Sequence, residues 1–319
     1  MSERRWAPFS LFACVMGVAA MGLAWREAAA HGLAPAAVGE ATIAIAAIVY
    51  LWGAAQIAGR LAFYPASIFD EWRDVARAPF ASAAGIAMML LATGAAPYHA
   101  SLAALMWACG LCLHLGLAAA LAWGFRTRYR LCEITPAWLI TLASSVLAPV
   151  EGVPAGYAAA SQAIWAASLG AYAIVTILIA RRLLSGPALH DSLRPTLAIL
   201  VSPPAVATIG RLSLLQQAAD AATLALFCVS LSIAICGLPF LPRLFRPPFA
   251  MSWWSATYPL AALAIAAARL SATFPAFSQL HVVEALFACA TGVFVLVLAG
   301  TAYGEWRIFR SFRAEAARP

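Results

Sequence analysis

Few side chains in this 319-residue sequence could do chemistry, and they lie far apart. Cys109 and Cys112 form a C-x-x-C, a spacing that serves dithiol redox work or metal ligation. Here the pair falls inside an apolar run, where it reads as packing. The seven cysteines, Cys14, Cys109, Cys112, Cys132, Cys228, Cys236 and Cys289, mostly fall in such runs and are expected as small buried hydrophobes rather than disulfide partners. His114 lies near the middle of the same apolar run as Cys109 and Cys112. A b-type haem would need a second histidine at that depth and none is evident, so His114 reads as a core residue and no cofactor or metal is expected. Glu284 lies within the last apolar run, where an unpaired charge is costly. It has two readings, an ion pair with Arg269 or a proton-coupling group. Arg269 in turn is a vestibule charge, a snorkelling interfacial residue or that partner. Asp70, Glu71 and Asp74 interleave with Arg73 and Arg77, the pattern of a solvated surface helix with internal pairs. No His, Asp and Ser cluster has catalytic spacing, so no enzyme activity is expected.

Backbone chemistry is more informative. Pro203 and Pro204 stand together in RPTLAILVSPPAVATIGRL, removing two amide donors from one turn. The carbonyls they free must find donors in protein or in a wet cavity. In SWWSATYPLAALAIAAARL, Pro259 kinks a helix beside Tyr258, and almost pure alanine follows. Such a helix presents one ring and then a narrow smooth wall.

These residues need elements to hold them, and the composition says which kind. Hydrophobic residues make up 64% of the chain and charged residues 10%, against about a quarter charged in soluble domains. Lipid is therefore the expected solvent. Apolar runs near 8–25, 37–63, 79–96, 98–125, 135–150, 155–180, 195–215, 218–241, 252–274 and 278–303 predict an all-α integral membrane fold of ten transmembrane helices. Together they form a single transmembrane domain over 1–319, with 304–319 as a cytoplasmic tail. The charged MSERRWAPFS start resembles a signal peptide but lacks a convincing cleavage site, so the first run is read as a span.

All 20 basic residues are arginine. Seventeen of them, from Arg4 and Arg5 through Arg126, Arg128 and Arg246 to Arg318, fall on one side of the ten-span arrangement, and Arg26, Arg211 and Arg269 on the other. The positive-inside rule then places both termini in the cytoplasm. Pro8, Pro79, Pro136, Pro195 and Trp253 mark starts of odd-numbered runs roughly 60 residues apart, the length of one helical hairpin. Five tandem hairpins can close into a quasi-fivefold ring around a central pore, with the interrupted odd-numbered helices facing the axis.

PF-x2-F-x3-MG-x4-GLAW (Pro8 to Trp25), SPPAVA (Ser202 to Ala207) and WW-x3-YP-x4-AIA (Trp253 to Ala266) make the chain resemble the tellurite-resistance/C4-dicarboxylate transporters, the TehA-like family that includes the slow anion channels. The resemblance spans nearly the whole chain. It implies a homotrimer in a bacterial inner membrane, each protomer with its own pore, lined by five inner helices and ringed by five outer ones. The cargo it implies is anionic: C4-dicarboxylate, tellurite, sulfite, chloride or nitrate, moved by a channel or facilitative carrier. Nucleic acid is not an expected partner. In the family a phenylalanine just before the Pro or Gly of the ninth helix plugs the pore; here Tyr258 stands there and brings a hydroxyl donor. Gly85 stands where related channels tend to place a mid-helix proline, leaving Pro203, Pro204, Pro259 and Gly85 as the expected pore-helix kinks. A proton-coupled exporter on the same fold and a membrane-embedded enzyme are the alternatives. A mild positive potential from vestibule arginines, rather than a fixed mid-membrane charge, suits an anion that must also leave.

Overall fold

A computed structural model describes residues 6–125, 130, 133–245 and 249–316 of the chain. Arg4, Arg5, Arg126, Arg128, Arg246, Arg318 and Cys132 lie outside the described residues. Among those described there are helices and no strand. In chain order they are α1 (Leu11–Ala30), α2 (Ala36–Phe63), α3 (Pro65–Arg73), α4 (Ala83–Ala95), α5 (Ala100–Phe125), α6 (Trp138–Ala143), α7 (Pro149–Gly152), α8 (Ala158–Ser185), α9 (Ser202–Leu214), α10 (Ala221–Gly237), α11 (Leu241–Leu244), α12 (Thr257–Ser271), α13 (Ala276–Gln279) and α14 (Val282–Ala316).

Eight helical segments among the described residues are long and apolar enough to cross a membrane. The expected runs 135–150 and 252–274 are represented by shorter pieces, the broken segment Trp138–Gly152 and the 15-residue α12. α14 runs on to Ala316, so residues 304–316, expected as a tail, continue the helix.

The segments are of two kinds. Buried residues fill 67% of the most apolar stretch of α1, 83% of Ala78–Ala95 and 67% of Asp191–Leu214. In α2, α5, α8, Ala221–Leu244 and α14 the share is 22%, 28%, 17%, 11% and 22%. A helix apolar all round with most of its surface exposed needs lipid on its outer side. The buried kind is also broken: 3-10 turns at Ala78–Ser82, Ser144–Leu147, Asp191–Val201 and Met251–Ala256 lead into or interrupt α4, α6 and α7, α9 and α12.

The break at the paired prolines shows how this is tolerated in an apolar interior. Pro203 and Pro204 occupy the first turn of α9, so the α-helical donors to the carbonyls of Ile199 and Leu200 are missing. Ser202 Oγ donates to Ile199 O at 2.9 Å, Tyr172 of α8 donates its hydroxyl to Leu200 O at 3.2 Å, and Ser230 of α10 donates to Val201 O at 2.7 Å. Elsewhere Trp107 Nε1 of α5 donates to Ala148 O at 2.9 Å, and Trp165 Nε1 of α8 to Ala207 O at 3.1 Å. Lipid-facing helices thus donate side-chain hydrogen bonds to carbonyls of the broken inner segments, at Leu200 in place of the donor that Pro204 lacks.

Two expectations are corrected, and Gly85, expected as a kink, is seen at a close crossing of α4 and α5: a Cβ there would lie 2.5 Å from Gly110 O and 2.7 Å from His114 Cβ. The acidic run is not wholly a solvated helix. Glu71 is buried, accepts Phe9 N–H at 2.9 Å and pairs with buried Arg60 at 2.5 Å, tying the start of α1 to the end of α2 and to α3. Asp74 and Arg77 do form an exposed pair at 3.3 Å. Of the described cysteines Cys14 alone is buried; the other five are exposed on α5, α10 and α14, which suits small apolar groups against lipid.

Candidate functional site

Two cavities lie between the buried segments, and Tyr258 is the residue that lines both. The wider, about 270 Å³, is walled by residues of α1 (Ala20, Leu23), of α4 and the turn after it (Leu90, Thr93, Pro97), of the broken fifth segment (Leu147, Val150), of α9 (Val206, Ile209) and of α12 (Ala262, Ile265). The narrower, about 20 Å³, holds roughly one water. It is walled by Ala13 and Met16 of α1, Ile140, Ser144, Ile199, Ser202, Trp254, Ser255 and Pro259. Apolar side chains and alanines make most of both walls.

Tyr258 is 7% exposed, and its hydroxyl has no hydrogen-bond partner among the described residues. A buried hydroxyl without an acceptor costs about 1–3 kcal/mol. The ring is held by its neighbours: Thr257 Oγ1 donates to Trp254 O at 2.8 Å, and Gly17 of α1 lets α12 approach, because a Cβ on Gly17 would run into the Thr257 hydroxyl. Trp254 Nε1 donates to Thr301 Oγ1 of α14 at 3.1 Å. Pro259 follows Tyr258 in the first turn of α12, directly after the 3-10 turn.

The wide cavity carries the charges. Arg26 lines it and forms a bidentate pair with Glu40 of α2, both bonds 2.7 Å, while its second amine also donates to Gly94 O at 3.0 Å. Arg269, in the last turn of α12, pairs with Glu27 of α1 at 3.3 Å. Glu151, at the end of α7, is 9% exposed, lines the same cavity and has no ion-pair partner within 4 Å among the described residues.

Of the residues singled out by sequence, the structure thus gathers Tyr258, Pro259 and Arg269 around the cavities, while Pro203 and Pro204, in the first turn of α9, are in neither lining. Glu284 is not among them. The expected Arg269–Glu284 pair is not formed, because Arg269 points across the cavity to Glu27 while Glu284 sits in the first turn of α14 beside His281 at 3.4 Å. His114 is fully buried, with Nδ1 3.1 Å from Ser82 O, in the role of a core residue packed on Gly85. Sequence reading missed Glu151, Glu27, Glu40 and Thr93. The only hint was an acid placed directly after the apolar run that ends APV, at Glu151.

At the loop ends two groups have displaced acidities. The Arg211 guanidinium and the Thr223 hydroxyl beside Asp220 hold its carboxyl well below the usual carboxylate range. The carboxylate of Glu40 beside Tyr98 pushes that phenol up.

A multi-pass α-helical bundle with two cavities between its buried helices is the class of protein these features define: a membrane channel or transporter. The family model described as the SLAC1 voltage-dependent anion channel matches residues 7–302, and the chain belongs to that family. It is similar to the guard cell S-type anion channel SLAC1 of Arabidopsis thaliana, 21% identical over 149 residues. That alignment covers 46% of this chain and 27% of the relative, so the chain matches well under half of the plant protein's length.

Proposed function

We propose that the chain is an anion channel or facilitative anion carrier whose path runs through the two cavities and is occluded between them by the Tyr258 ring. One observation carries this reading: Tyr258 is shared by both cavity walls, so displacing that ring would join them. The hydroxyl, unpartnered among the described residues, supports an anionic cargo, since an anion reaching the ring would accept its hydrogen bond. Two arginines at the wide cavity add a mild attraction, each offset by its own carboxylate, so an anion is not held too tightly to leave.

The finer features belong to the same proposal. The chain forms one transmembrane domain of ten spans, paired as five tandem hairpins in a quasi-fivefold ring. The broken fifth segment and α12, with its preceding turn, complete the inner set. Protomers assemble as a homotrimer in a bacterial inner membrane with both termini in the cytoplasm, consistent with the 17-to-3 division of arginines. The cargo is a small anion of the C4-dicarboxylate, tellurite, sulfite, chloride or nitrate class. Reversal potentials across bilayers holding the purified protein test this directly. They shift with the anion gradient and change on replacing chloride by nitrate, sulfite or malate; a potential that follows potassium instead contradicts the proposal.

A further inference from the structure

The narrow cavity beside Tyr258, about 20 Å³, is smaller than a C4-dicarboxylate, so even with the ring displaced such an anion has to push a wall aside. The walls differ in how they are held. Ser202 is tied to Ile199 O and Ser255 to Pro195 O, at 2.9 and 2.8 Å, all within the buried segments. Trp254, the bulkiest residue of the wall, is tied outward instead: its Nε1 donates to Thr301 Oγ1 of lipid-facing α14 at 3.1 Å.

An indole N–H can only donate, so when buried it needs an acceptor, and Trp254 is 4% exposed. Thr301 is fitted to accept, because its own proton goes back one turn to Val297 O at 2.8 Å and leaves a lone pair for the indole. Phe294, also of α14, meets the Trp254 ring edge-on with centroids 6.0 Å apart. A second tryptophan is held in the same way, Trp25 Nε1 donating to Thr291 Oγ1 of α14 at 3.1 Å, but Trp25 is in neither cavity lining.

We propose that Thr301 sets how large an anion the path admits, by holding Trp254 in the wall of the narrow cavity. It is a positioning residue: it lies in neither lining and acts through the indole. The inference rests on the proposed anion path and names what limits the size of its cargo. Moving Trp254 out of the wall to pass a large anion breaks its hydrogen bond to Thr301, whereas a single-atom anion such as chloride asks for less displacement. Losing the acceptor therefore favours malate more than chloride, and changes their ratio rather than the total flux alone.

The test is the malate-to-chloride permeability ratio, from reversal potentials of the full chain in planar bilayers, measured in the Tyr258→Ala background where the ring no longer limits passage. Thr301→Val deletes the acceptor at nearly constant shape and raises the ratio about fivefold, the factor that one net hydrogen bond makes in an equilibrium. Thr301→Ala deletes it in a second way and gives the same rise, so the outcome does not hang on one variant folding. Thr301→Ser keeps the hydroxyl and the background ratio. Thr291→Val, which takes from the same helix the equivalent bond to Trp25, also leaves the ratio at its background value.

A ratio that stays at the background value in either folded hydroxyl-free Thr301 variant, or that rises equally in Thr291→Val, overturns the inference and leaves the anion path standing. Reversal potentials that follow potassium in every variant overturn the anion path and this inference with it.

Discussion

Tyr172 donates its hydroxyl to the carbonyl of Leu200 at 3.2 Å, the acceptor that Pro204 leaves without an α-helical N–H. Ser230 donates to the neighbouring carbonyl of Val201 at 2.7 Å, the N-cap carbonyl of α9, whose α-helical donor is Ala205 and not a proline. Two different lipid-facing helices thus donate at the break in the buried segment. Removing the Tyr172 donor leaves the buried Leu200 carbonyl unsatisfied at about 1–3 kcal/mol, while removing Ser230 forfeits one hydrogen bond at about 0.5–1.5 kcal/mol. Tyr172→Phe and Ser230→Ala are each expected to lower the thermal midpoint of the detergent-solubilised protein. Ile174→Phe and Val229→Ala, at lipid-facing positions of the same two helices, leave it unmoved.

The Arg60–Glu71 pair makes a similar claim at the end that holds the N-terminus. Glu71 accepts both Phe9 N–H and the Arg60 guanidinium, and Arg60 also donates to Ala7 O at 3.2 Å and Ser67 O at 2.8 Å. Breaking a buried pair by removing one partner costs about 3–5 kcal/mol, because the other charge stays buried. Glu71→Ala is expected to destabilise by that order in denaturant titration. Asp74→Ala, whose carboxylate forms an exposed pair with Arg77, shifts stability by under about 1 kcal/mol.

Much of this was legible in the sequence. Apolar runs and alternating arginines identify a helical membrane protein because lipid leaves so few options for backbone hydrogen bonds. Pro203-Pro204 and Tyr258-Pro259 stand out for the same reason, since a missing donor is visible as a residue type. The charge partners were not legible. Arg269 and Glu27 are 242 positions apart, and which carboxylate an arginine meets depends on how helices rotate about their axes. Gly85 shows the same limit: a glycine that serves a kink and one that serves a close crossing look alike until Gly110 is found opposite it. Glu151 went unread because it sits at the end of the shortest run, where an acid passes for a loop residue.

Asp220 gives the protein a pH dependence at its exposed loop. Its carboxyl is held below the usual range by Arg211 first and by Thr223, in a capping box that starts α10. A depressed folded value means the stabilisation is complete above the unfolded value, about pH 3.9 for aspartate, and is lost as pH falls below it. Asn is also a good N-cap, so Asp220→Asn keeps the cap and removes the titration. Between about pH 5 and pH 2 the parent is expected to lose more stability than Asp220→Asn, as followed by helical circular dichroism.

The central claim is that the Tyr258 ring closes an anion path between two cavities. Anion conductance of Tyr258→Ala in planar bilayers, beside that of the parent and Tyr258→Phe, tests it most directly. The account predicts a conductance at least about tenfold above the parent for the alanine variant, the effect of lifting an occlusion worth about 1.4 kcal/mol or more. Tyr258→Phe keeps the ring and stays near the parent level. Equal anion conductance in the parent and Tyr258→Ala would contradict the account.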